Sequence, residues 1–260
     1  MVNLEKKQLL QIGNILAVIA TIVVNLLANI IPIGGNNTGE LADLYPNLFV
    51  PAGYVFSIWF IIYVLITILA IYQAKDLFKS EKEELPFIEK ISVFFIIGSL
   101  GNILWIFFWH YRIIIGSVIA ILILFISLLI IYLKLEIAIS DAPRNEKLFV
   151  HLPISVYFGW LTVATVAQIT VLLVDLKVPN DTLLAEFLTV FVIIVVLIIT
   201  LLTLVTRKDI AYSLVVIWAA FGIFLKQLSV SLLISISALI AAIIIGLAVL
   251  WVAYKTYIQK

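Results

Sequence analysis

Pro46 to Tyr63 reads PNLFVPAGYVFSIWFIIY, a loop that runs straight into an apolar helix. Pro51, Ala52 and Gly53 form the turn between the two. Proline donates no backbone hydrogen bond and glycine accepts unusual dihedrals, so the tripeptide marks a change of chain direction just ahead of the helix. Phe56, Trp59 and Tyr63 follow at spacings of three and four, which puts them on one helical face. An aromatic face at the mouth of such a helix reads either as a headgroup-level belt or as the wall of a ligand pocket.

The composition decides the solvent. The chain has 260 residues, of which 65% are hydrophobic and 12% charged, with a mean hydropathy of +1.26. Soluble domains carry about 25% charged residues, so this is a polytopic, all-α membrane protein. The net charge of +1 holds no basic stripe, which argues against nucleic acid as a partner. The absence of cysteine excludes disulfides, thiolate metal sites and cysteine nucleophiles. Leu9 to Ile33 is too long for a signal-peptide core and is read as a retained helix.

About 20 apolar residues cross a bilayer as a helix. Eight segments qualify: 9–33, 54–73, 91–109, 113–133, 150–174, 183–206, 210–225 and 229–254. Only His110, Tyr111 and Arg112 separate the third from the fourth, which predicts a tight helical hairpin. With these spans Lys6, Lys7, Lys75, Lys79, Lys82, Lys90, Lys134, Arg144, Lys147, Arg207, Lys208, Lys255 and Lys260 fall on one side, against Arg112, Lys177 and Lys226 on the other. The positive-inside rule then puts both termini in the cytoplasm. The loop Gly34–Gly53 is outside, and Thr38 at the head of GELADL predicts a short surface helix there. The mixed-charge run Lys75–Lys90 reads as a solvated helical extension, and Trp109 and His110 as interfacial residues.

Polar and aromatic positions within the spans are few. Gly13, Ala17, Thr21, Asn25 and Asn29 recur every four residues, a stripe suited to close packing and interhelical hydrogen bonds. Asn102 and Trp105 share a face of the third span, and Tyr157, Trp160, Ala164 and Gln168 share a face of the fifth. At about 1.5 Å per residue, Trp59, Asn102 and Gln168 lie roughly 8, 10 and 9 Å below the outer ends of their helices. A polar group at that depth costs free energy unless paired, so the layer is either a ligand pocket or a packed bundle whose amides satisfy each other.

PAGYVFSIWFIIY resembles the loop-to-helix motif of the TspO/MBR family of tryptophan-rich sensory proteins, Pro-Pro-Gly-Trp-x-Phe with Trp and Tyr four apart beyond it. Pro51, Gly53, Phe56, Trp59 and Tyr63 match. GNILWIFFW is similar to the family's Leu-Asn-x-x-Trp segment through Asn102 and Trp105, and WLTVATVAQ to Trp-x-x-Phe-Ala-Thr-x-x-Asn through Trp160, Ala164 and Thr165, with Gln168 in the Asn place. Ala52 stands where the pattern has a second proline, and Tyr54 where it has tryptophan. One residue is missing between Gly53 and Trp59, a rotation of about 100° on a helix. The resemblance implies a five-helix TspO-like unit over residues 1–175; the remaining apolar segments add about three helices over 176–260 that have no counterpart in that five-helix pattern.

The resemblance implies a membrane receptor or sensor for flat hydrophobic ligands, porphyrin- or sterol-like. The expected contacts are Tyr54, Phe56, Trp59, Tyr63, Asn102, Trp105, Tyr157, Trp160, Ala164 and Gln168. Flat rings stack on Trp and Tyr faces, and an amide orients one polar edge. Porphyrin enters as a ligand and no cofactor is required. No acid, base or metal-ligand constellation suggests catalysis. The expected partners are the bilayer, a hydrophobic small molecule and a second copy of the chain. A small-molecule transporter or permease subunit is the alternative, although carriers usually keep ionisable groups deep in the bundle, while Glu186, Lys226 and His151 lie near helix ends. A structural protein whose helices 183–254 bind a partner is the other. On the motif positions those three helices are expected to pack beside the five-helix unit without lining its pocket.

Overall fold

The computed structural model describes residues 4–31 and 33–257, and among them no strand occurs. Pro32, in the first expected span, and Lys260 lie outside the described residues. All eight apolar segments are helical: α1 (Leu4–Ile30), α3 (Ile58–Gln73), α5 (Phe94–His110), α6 (Ile114–Lys134), α8 (Leu152–Asp175), α9 (Leu183–Arg207), α10 (Ile210–Gln227) and α11 (Leu232–Tyr257). Among the described residues, seven of the apolar helical stretches are long enough to cross a membrane by length and composition, and α5 is the shorter one. Short helices α2 (Thr38–Asp43), α4 (Phe87–Ile91) and α7 (Arg144–Glu146) lie between them. This is a multi-span helical membrane protein.

The helix ends follow local chemistry. Thr182 and Asp209 accept from the backbone N–H of Ala185 and Tyr212, which caps α9 and α10. Lys208 ends α9 in the left-handed conformation. Pro153 lacks the donor that an α-turn needs, and its ring crowds the carbonyl four residues back. The chain answers with a π-turn over Lys147–His151, so α7 runs into α8 as one continuous rod.

The helices fall into two compact units. The first comprises the chain up to Thr38 together with Trp59–Phe158. In it α5 and α6 form the expected hairpin, turned at Arg112 with φ 58°. A Cβ on Gly101 would lie 2.9 Å from the backbone nitrogen of Leu124, so these two helices touch backbone to backbone. Gly34 has φ 72°, and a Cβ there would lie 2.6 Å from the carbonyl oxygen of His110. Only glycine meets both demands.

The run Lys75–Lys90 is not a helical extension. α3 stops at Gln73, and a turn and loop lead to α4, whose Phe87, Ile88 and Ile91 are buried. The polar start of α1 explains the difference. Lys7, itself buried, pairs with the buried carboxylate of Asp76 and donates to the Glu83 carbonyl at 2.7 Å. Gln11 donates to Asp76 at 2.8 Å and Asn14 to the Gln73 side chain at 3.0 Å. These bonds hold the segment after α3 against α1.

The second unit comprises Gly39–Ile58 and the chain from Gly159 onward. α10 packs on α11, and α11 on α9. Gly159 of α8 lets α10 approach, since a Cβ there would meet the Tyr212 carbonyl oxygen at 3.0 Å, and the Tyr212 hydroxyl bonds the Thr162 hydroxyl at 3.1 Å.

Candidate functional site

In the first unit a ladder of aromatic rings runs between α3, α5 and α8. Trp59 stacks on Tyr63 with centroids 5.7 Å apart and on Trp105 at 5.9 Å. Trp105 stacks in turn on Trp109 at 6.2 Å, and Tyr157 meets Trp59 edge-on at 5.9 Å. Such offset and edge-on pairs are the favoured aromatic geometries. Trp105, Trp109 and Tyr157 are buried, whereas Trp59 and Tyr63 are half-buried.

Trp59 reaches this ladder despite the residue missing ahead of it. Gly53–Ser57 is a 3₁₀ turn, not α-helix. Each residue there advances about 120° instead of about 100°. Five such residues add about 100°, which offsets the rotation that a one-residue deletion removes.

An amide relay lies beside the ladder. Asn25 of α1 donates to the Asn102 side-chain oxygen at 2.7 Å, and Asn102 donates to the Tyr157 hydroxyl at 3.0 Å. Asn102 is wholly buried, so both ends of its amide need these partners. The four-residue stripe on α1 was the signal for Asn25, and one of its members pairs across helices as that reading requires. Thr21, one turn away on the same stripe, has a buried hydroxyl without a hydrogen-bond partner, as does the side-chain oxygen of Asn14.

Trp109 and His110 depart from the interfacial reading. Both are buried. Trp109 donates to the Thr38 carbonyl at 3.2 Å. The His110 Nδ1 lies 2.8 Å from the Ile33 carbonyl, which can only accept, so Nδ1 carries a proton, and Nε2 hydrogen-bonds the Thr38 hydroxyl at 3.2 Å. The loop after α1 folds back over these rings and covers them, which hydropathy alone cannot register.

The second unit holds the other candidate residues. Phe56 meets Trp160 edge-on at 5.9 Å. Trp160 and Gln168 are buried on α8, with Ala164 half-buried between them. The hydroxyl of Thr165 is buried with no hydrogen-bond partner. Tyr54 is exposed and packs edge-on against Trp218 of α10, 5.1 Å between centroids. Trp218 donates to the Val55 carbonyl at 3.2 Å, and Ala52 donates to the Gly222 carbonyl at 3.2 Å. So α10 packs against the Pro51–Val55 turn. The sequence carried a weak cue in Gly222, where a side chain would collide with Val55 and Pro51.

No curated protein and no solved structure matches the chain. The family model of the TSPO-like proteins does, over residues 11–251, and so extends through α9, α10 and most of α11. The three motif segments lie within that range and supply most of the rings in both aromatic clusters. On this match the chain belongs to the TSPO-like protein family.

Proposed function

We propose that this protein is an intramembrane receptor or sensor that binds a flat hydrophobic ligand, porphyrin- or sterol-like. The observation that carries the reading is the ladder Tyr63–Trp59–Trp105–Trp109 with the Asn25–Asn102–Tyr157 relay beside it. Flat aromatic rings stack on Trp and Tyr side chains such as these, and an amide within the apolar interior can orient one polar edge of a ligand. Membership of the TSPO-like family supports it further.

Tryptophan-fluorescence quenching of the purified full chain by protoporphyrin, with a sterol as competitor, tests this. Saturable quenching is expected, and Trp59→Ala should weaken it. A linear, unsaturable response to protoporphyrin, with no sterol competition, would leave the ladder as packing alone.

A further inference from the structure

Four helices meet in the second unit and leave a void where they meet. Val163 of α8, Ile193 of α9, Val216 and Ala219 of α10, and Ala238 and Ala241 of α11 line it. The void has a cause in the sequence. α10 packs on α11, and four of the residues these two helices contribute to the lining are alanines. A single methyl group lets helices approach closely but leaves the space beside it unfilled.

Size limits what can occupy the void. Its volume is about 20 Å³. A water-sized sphere needs about 10–15 Å³, so there is room for one particle slightly larger than water. Pockets for lipid-sized or drug-sized ligands run to roughly 300–1,000 Å³, which excludes an alkyl chain, a sterol or a porphyrin here.

Polarity limits it further. Every lining side chain is apolar, and all but Leu197 are buried. A buried water makes about 2–4 hydrogen bonds to polar groups, and cavities lined only by apolar side chains stay dry. A small apolar molecule incurs no such cost. Apolar gases also partition from water into hydrocarbon, so a bilayer presents them to the exposed face of α9. Leu197, the half-buried member of the lining, shares a helical face with the exposed Ile194 three residues back, which puts the entrance there.

We propose that this void is a binding site for an apolar diatomic gas of the class of dioxygen, taken up from the hydrocarbon core past Leu197. The site does not depend on the ligand read for the aromatic ladder.

Dioxygen is paramagnetic and serves as its own probe. The full chain, methyl-labelled at isoleucine, leucine and valine in nanodiscs, is compared by NMR under raised pressures of oxygen and of argon. The oxygen-induced rise in methyl relaxation at Val163 and Val216 is expected to be several-fold that at Leu204 and Ile234, which are buried to the same degree and do not line the void. Ala241→Val fills the space and should bring Val163 and Val216 down to the level of Leu204 and Ile234. Val216→Ile, one methylene larger and read at Val163, serves if the first variant fails to fold. A response at Val163 and Val216 no greater than at Leu204 and Ile234 in the unaltered chain would overturn the proposal. So would a response that persists in a folded filling variant, or a cross-peak to water at either methyl, which would mean that the void is wet.

Discussion

At the scale of single residues, Asn102 and Trp105 do different work although they share a helical face. Asn102 is wholly buried and holds Asn25 and Tyr157. Replacing it with alanine strands the Tyr157 hydroxyl without a donor and leaves Asn25 its remaining bond to the Thr21 carbonyl at 2.8 Å. Asn102→Ala should therefore destabilise the protein by about 1–3 kcal/mol, read as a lowered unfolding midpoint in detergent. Trp105 contributes stacking on Trp59 and Trp109. If a flat ligand lies on this ladder, aromatic stacking of about 1–3 kcal/mol corresponds to a roughly 5- to 150-fold loss of protoporphyrin affinity in Trp105→Ala. Titration of that variant checks it, and affinity equal to wild type would refute the role. The spacing of Asn102 and Trp105 was legible in the sequence. The burial of Trp109 and His110 was not, because what covers them is the returning loop.

Individual elements carry two further expectations. The first concerns the segment after α3, where Asp76 is buried against Lys7. Burial pushes the Asp76 carboxyl up, but hydrogen bonds from Lys7, Gln11 and the Glu83 N–H, with the charge of Lys7, outweigh it and hold the group below the usual carboxylate range. A depressed folded-state pKa means that this stabilisation is fully present above about pH 4, the unfolded value, and is lost as pH falls through the lower folded value. Asp76→Asn should lower stability at neutral pH by roughly 3–5 kcal/mol, since it leaves a buried lysine without its counter-charge, and should flatten the acid limb of the stability profile. Thermal unfolding of both proteins between about pH 3 and 7 measures this. The second concerns α10, whose Gly222 lies against Val55 and Pro51 of the turn before α3. Gly222→Ala forces that turn away and should cost about 1–3 kcal/mol. A variant as stable as wild type would mean that the turn shifts freely.

For the whole molecule, the asymmetry of lysine and arginine over eight spans predicts that both termini face the cytoplasm. A reporter inserted between Gly34 and Gly53 and one fused after Lys260 should report opposite sides of the membrane. Finding both on the same side would sink the topology. Within the second unit the loop Gly39–Ile58 joins helices that come more than a hundred residues later, through Ala52 with Gly222 and Gln227 with Leu48 at 3.0 Å. Likeness to a five-helix pattern groups the chain by succession, whereas contacts group it by which surfaces close on each other.

The sequence by itself determined the solvent, the number and position of the long apolar helices and the family motifs. Each depends on short-range information: twenty apolar residues make a span whatever their neighbours, and residues three or four apart share a face. It also marked the α5–α6 hairpin, because three residues between two spans leave no other path. Only the tertiary structure decided that five residues of 3₁₀ turn bring Trp59 back into phase with Trp105. Only it paired Asn102 with Asn25 and Tyr157, buried Lys7 against Asp76 and left a void where α8, α9, α10 and α11 meet. The physical reason is common to all four. In an interior as apolar as lipid, hydropathy no longer distinguishes inward from outward faces, so polar partners and the spaces between helices are set by contacts between residues far apart in the chain.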